Sequence, residues 1–141
     1  METSAPAAAP PPGPPILIVD DDPAVRGILT VILESEGFAT ARAVNGEEAL
    51  AALAAEPASL VLLDLMMPVK DGWAFLRDFQ TMPGPRPPVI IVSARWGTTQ
   101  RLLARQLGVA EYVEKPFDVR DLVGKVRQHV ASTPDDASLP H

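Results

Sequence analysis

Three apolar runs in this chain, and a mixed one, each end in a residue that can do chemistry. "ILIV" leads into Asp20, Asp21 and Asp22, "SLVLL" into Asp64, "PVIIV" into Ser93 and "EYVE" into Lys115. Singly, each has an ordinary use: Asp22 before Pro23 suits a helix cap, a strand-end Asp a turn, Ser93 a loop hydroxyl and Lys115 a solvated charge. Together they are complementary. Carboxylates gathered at one point resist ionisation unless a cation offsets them. Mg²⁺ prefers oxygen ligands and typically takes one or two protein carboxylates plus phosphate oxygens. A lysine nearby supplies a second positive charge aimed at an anion.

These groups meet only if the runs are neighbouring strands. "ILIV" is short, apolar and rich in β-branched residues, as a strand buried on both faces is. "DPAVRGILTVILESEG" places Val25, Ile28, Leu29, Ile32 and Leu33 at helical spacing, with Pro23 in the first turn and Gly37 at the stop. "FATARAV" reads as a weaker strand, and "NGEEALAALAAE" as a helix with Asn45 and Glu48 in a capping box. "SLVLLD" is a buried strand, and "WAFLRDFQTM" a helix with Trp73, Leu76 and Phe79 on one face. "PVIIVSA" is the next strand, followed by "TTQRLLARQLG", a helix capped by Thr98 and ended by Gly108. "EYVEKP" is a short last strand, and "DVRDLVGKVRQHV" a last helix capped by Asp118. Five alternations predict an α/β fold, a doubly wound five-stranded parallel sheet with helices on both faces. Such sheets bind ligands beyond the carboxyl ends of their strands, where the four runs deliver their polar groups.

Composition narrows the rest. The 141 residues fit one domain. A net charge of −6 argues against direct binding of nucleic acid or of an anionic membrane surface. The chain has no cysteine, which excludes disulfides, thiolate metal sites and thiol nucleophiles and fits the cytoplasm. No apolar run approaches the roughly 18 residues of a membrane span, and the N-terminus lacks the pattern of a secretory signal. The Pro/Ala-rich start is expected to be a disordered or polyproline-II tail over residues 1–13, and "STPDDASLPH" a second over 132–141. The folded body is then 14–131, with no room for a second domain.

With "VDDDP", "LLDLMMPVKDG", "VSA" and "YVEKPF" in order and at matching spacing, the body resembles a response-regulator receiver domain. This is the phosphoacceptor half of two-component signalling, and the chain is similar in size to the stand-alone chemotaxis receiver. The resemblance implies a flavodoxin-like receiver fold and a phosphoryl group accepted on Asp64 from a sensor histidine kinase or a histidine phosphotransfer protein. It implies Mg²⁺ held by Asp20, Asp21, Asp64 and the backbone carbonyl of Met66, with Asp21 the more direct of the acidic pair and Asp22 left to cap the helix. Ser93 matches the switch hydroxyl, Lys115 the family lysine with a cis bond to Pro116, and Tyr112 the switch aromatic. Met66 and Arg95 occupy the two positions that tune dephosphorylation. Such a protein is not a conventional enzyme, although it helps catalyse its own modification. Its signal would leave by contact of a downstream protein with the fourth helix, fifth strand and fifth helix.

Other readings differ at particular residues. Tyr112 also reads as a static edge-strand aromatic, and Trp96 as either partner surface or packing. His129 and His141 read as solvated. A haloacid-dehalogenase-type phosphatase needs a second Asp where Met66 stands. A flavin binder needs a phosphate loop where three acids stand. The main alternative is a receiver-like docking module that works without phosphorylation, but such modules usually lose the acidic pair, the acceptor or the lysine.

Overall fold

The computed structural model describes residues 13–94 and 97–130. Arg95, Trp96, His141 and most of both expected tails lie outside the described residues. Strands and helices alternate: β1 (Ile16–Val19), α1 (Pro23–Ser35), β2 (Thr40–Ala43), α2 (Gly46–Ala55), β3 (Leu60–Leu63), α3 (Gly72–Phe79), β4 (Val89–Ser93), α4 (Thr98–Gln106), β5 (Glu111–Glu114) and α5 (Val119–Val130). The five strands form one parallel sheet in the order β2-β1-β3-β4-β5, the flavodoxin-like arrangement.

The central strands are apolar, but for Ser93 at the end of β4, and they are buried on both faces. Leu17, Val19, Val61, Leu63, Val89 and Ile91 point to one layer, which Phe75, Leu76 and Phe79 of α3 and Ala49 of α2 complete. The alternate residues Ile16, Ile18, Leu60, Leu62, Ile90 and Val92 meet Leu29 and Leu33 of α1 and Leu122 and Val126 of α5. This two-residue alternation is the pleat of a strand.

The helix ends follow local chemistry. The Asp22 carboxylate accepts the N–H of Ala24, with Pro23 in the first turn. The Asp71 carboxylate accepts the N–H of Ala74, and that of Asp118 the N–H of Asp121. Gly37 and Gly108 hold the positive φ values (95° and 80°) that follow α1 and α4.

Three local expectations need correction. Gly97, not Thr98, caps α4, and the Gln100 side chain reaches back to accept the Gly97 N–H. In α2 the Asn45 side chain accepts the Glu48 N–H, but the Glu48 carboxylate accepts from Val44, one residue before the cap. Ile28 is exposed, because the buried stripe of α1 runs through Leu29 and Leu33.

Candidate functional site

Register builds the site. Val19 pairs with Leu63, so Asp20 and Asp64 emerge side by side at the carboxyl ends of β1 and β3. The Asp64 N–H donates to the Val19 carbonyl at 2.9 Å, locking that level. Ser93 ends β4 beside Glu114, and the N–H of Lys115 donates to the Ser93 carbonyl at 2.8 Å. The Lys115–Pro116 bond is cis, as expected.

The side chains converge. One oxygen each from Asp20, Asp21 and Asp64 lie within 4.8 Å of one another. Asp20 and Asp64 are buried and Asp21 is exposed. The Ser93 hydroxyl donates to Asp64 Oδ1 at 3.1 Å, and the Met66 N–H reaches the same oxygen at 3.3 Å. Lys115 Nζ donates to Asp20 Oδ2 at 2.9 Å and lies 3.7 Å from Asp64 Oδ2.

Electrostatics show how the groups offset one another. Burial first, and then the charge of Asp20, push the Asp64 carboxyl above the usual carboxylate range. Lys115 and the hydrogen bonds from Met66 and Ser93 oppose that rise without cancelling it. For Lys115, burial is the largest single influence and favours the neutral amine. The hydrogen bond and charge of Asp20, with Asp64 behind them, outweigh it, so the ammonium is held above its ordinary range. The site is therefore short of positive charge. An oxygen-seeking divalent cation fits the donor set, since three carboxylates face one ammonium and one of them already resists ionisation.

A search with family models matches residues 16–127 to the response regulator receiver domain. The chain belongs to the response-regulator receiver family. Among curated relatives, this receiver is 37% identical over 115 residues to the DNA-binding response regulator MtrA of Mycolicibacterium smegmatis, covering 82% of this chain and 50% of that protein. It is 40% identical over 106 residues to the transcriptional regulatory protein CpxR of Klebsiella pneumoniae, covering 75% of this chain and 44% of that one. The receiver thus spans about half the length of these relatives. A CheY-like receiver domain protein from Methanospirillum hungatei superposes with a TM-score of 0.77 at 30% identity, over 84% of this chain and 94% of that one. The receiver domain of a histidine kinase from Syntrophus aciditrophicus gives 0.79 at 28% identity, over 92% and 98%.

The structure brings together Asp20, Asp21, Asp64, Ser93 and Lys115, with the Met66 backbone beside them. The Met66 side chain points out to solvent, 73% exposed. Tyr112 sits away from this group, half-buried on β5, with the Arg101 guanidinium 4.3 Å from its ring centroid. His129 is mostly buried rather than solvated, with Nε2 3.8 Å from Glu111 Oε2.

Two participants escaped sequence reasoning. Arg26 Nη1 donates to the Asp20 carbonyl at 2.7 Å, tying α1 to the acidic turn. Its place one turn after the Asp22 cap was the available signal. Val69, in the loop after Asp64, has φ 69°, which nothing in its residue type announces.

Among the described residues, no helix is long and apolar enough to cross a membrane.

Proposed function

We propose that the chain is a phosphoacceptor that takes a phosphoryl group on Asp64, with Mg²⁺ bound by Asp20, Asp21, Asp64 and the Met66 carbonyl, and that it signals by protein contact. The observation that carries this reading is the meeting of three carboxylate oxygens with the Ser93 hydroxyl and the Lys115 ammonium at one sheet edge. Family membership supports it independently.

In this reading an Asp64 oxygen forms a bond to phosphorus as the bond from phosphorus to the donor's imidazole nitrogen breaks. The obstacle is the approach of two anions, so the protein's part is positioning and charge neutralisation. When bound, Mg²⁺ supplies positive charge to the carboxylate and phosphoryl oxygens. Lys115 is close enough to both Asp20 and Asp64 to turn toward a new anion without crossing the site. Ser93, already donating to Asp64, can donate to a phosphoryl oxygen instead. Met66 and Arg95 would tune the lifetime of the acyl phosphate; neither is suited to orient an attacking water, which favours a long-lived species.

The expected donor is a sensor histidine kinase or histidine phosphotransfer protein. The expected output surface is α4, β5 and α5, where Leu102, Leu103 and Val119 are exposed. The Arg101–Tyr112 contact lies on the same side, and a Ser93 shift would be relayed to it through the β4–β5 pairing. Protein contact by a cytoplasmic receiver is our reading of the output. The MtrA relative, named as DNA-binding, is about twice as long as the part matched here.

Intact mass measurement after incubation with a small phosphodonor tests the site. A single phosphoryl gain that needs Mg²⁺ and disappears in Asp64→Asn is the expected result. No gain by a folded protein would overturn it in favour of a phosphorylation-independent docking module.

A further inference from the structure

A broad concavity lies at the end of the sheet opposite the carboxylates. It is a groove of about 660 Å³ between the turn before β2, the end of α2 and the loop before β4. Its walls are mainly apolar, with Phe38, Leu53, Ala54, Phe79, Met82 and Val130 among them, and four prolines of the 83–88 loop add to the lining. The phosphoacceptor reading makes no use of it.

Gly13 and Pro14, the first of the described residues, also line the groove. The path there is fixed: the Pro15 carbonyl accepts the Ser59 N–H at 2.9 Å, and the Ile16 N–H donates to Ala39 at 2.9 Å. Residues 1–12, "METSAPAAAPPP", are therefore tethered at the groove itself. They hold four prolines, four alanines and, as side-chain charge, Glu2 alone. Extended at roughly 3.1 Å per residue, they reach about 37 Å, enough to run along the groove. Proline-rich segments dock in aromatic-lined apolar grooves because little conformational entropy remains to be lost. The other nearby segment, residues 131–141, fits less well, since Asp135 and Asp136 would have to be desolvated.

We propose that residues 1–12 dock in this groove of their own chain, covering the amino-terminal end of the sheet. Tethering places the segment at an effective concentration in the millimolar range, so weak contacts suffice. Docked there, it leaves the carboxylate edge open and occupies a surface that an outside apolar partner would have to compete for.

The chain has no cysteine, so Ser4→Cys provides a unique thiol for a nitroxide label. Paramagnetic broadening of backbone amide signals then reports where the segment lies. The expected result is broadening about threefold or more greater at Phe38, Ala54 and Met82 than at Val19 and Val92, as a mostly docked segment gives. Ala54→Glu, a change at an exposed groove position, should abolish that preference, as should glycine at Pro10, Pro11 and Pro12 together. Uniform broadening, or a pattern untouched by these variants, would overturn the proposal. Broadening of isotope-labelled protein by a separate spin-labelled copy would overturn it too, and would assign the groove to a second copy of the chain.

Discussion

Lys115 and Asp20 are ninety-five positions apart, yet the Lys115 ammonium donates to Asp20 Oδ2 at 2.9 Å. The same ammonium is farther, at 3.7 Å, from Asp64. It thus leans toward one carboxylate while remaining in reach of the other. This asymmetry leaves Asp64 the less compensated of the two buried acids, and its raised pKa follows first from burial and then from Asp20.

Replacing that acid should stabilise the protein. The Asp64 pKa is higher in the folded than in the unfolded chain, so its contribution to stability is fully present below the unfolded pKa. That contribution is lost as pH rises through the folded value. At neutral pH the ionised carboxylate is therefore a burden that Asp64→Asn removes, while the amide oxygen can still accept from Ser93. We expect the variant to be more stable near pH 7, seen as a higher Tm and a higher urea midpoint. The gain should shrink to nothing at a pH below the carboxylate range. Urea unfolding at a series of pH values checks this, and a gain that grows toward acid would contradict the sign.

Mg²⁺ should stabilise the folded chain by binding where charge is short. At a concentration a hundred times its Kd, a ligand of the folded state alone adds about 2.7 kcal/mol. Asp21→Asn takes a charge from an exposed member of the cluster, so folding should be little affected while the apparent affinity drops about tenfold or more. Thermal melts across a Mg²⁺ series, with ionic strength held constant by a monovalent salt, measure both. Equal stabilisation by the monovalent salt would remove the case for a site.

Gly72 carries a constraint of a different kind. A Cβ there would stand 2.7 Å from the Asp64 carbonyl oxygen and 2.7 Å from Leu65 Cα, both backbone atoms. The Gly72 N–H also donates to the Leu65 carbonyl, closing the loop that carries the candidate acceptor. Gly72→Ala should therefore displace that loop, costing about 2 kcal/mol or more by overpacking. Phosphorylation should fall alongside stability, as intact mass and urea unfolding on one sample would show. An alanine variant as stable as the parent would mean that the loop has room to give.

These relationships also show where sequence reading reaches and where it stops. The pairing of Asp20 with Asp64 was legible because parallel register carries the ends of two buried runs to the same level, and burial made both runs conspicuous. Asp22 and Asp118 were legible as caps because the bond from side chain to backbone is local. Thr98 reads as a cap but lies inside the helix, because Gly97 takes the cap position and Gln100 accepts the Gly97 N–H, an arrangement that residue type and spacing do not reveal. The lean of Lys115 toward Asp20 and the grip of Arg26 on the Asp20 carbonyl depend on side-chain torsions and loop paths, which periodicity does not encode.

Val69 lies beyond the same limit and yields the last prediction. It is a β-branched residue at φ 69°, a region where such side chains are rarely found, and it is 79% exposed. Its side chain contributes little packing to offset the strain. Residues held in this region cost about 1–3 kcal/mol, against about 0.5–1 kcal/mol of extra unfolded-state entropy for glycine. Val69→Gly should therefore stabilise the protein by about 1 kcal/mol net, measured as a higher urea midpoint at unchanged slope. Because Val69 sits five residues after Asp64, the same variant tests whether the strain holds the loop in place for chemistry. A more stable protein with an unaltered phosphorylation rate would make the strain incidental, whereas a slower rate at higher stability would mean that the loop is held taut to position Asp64.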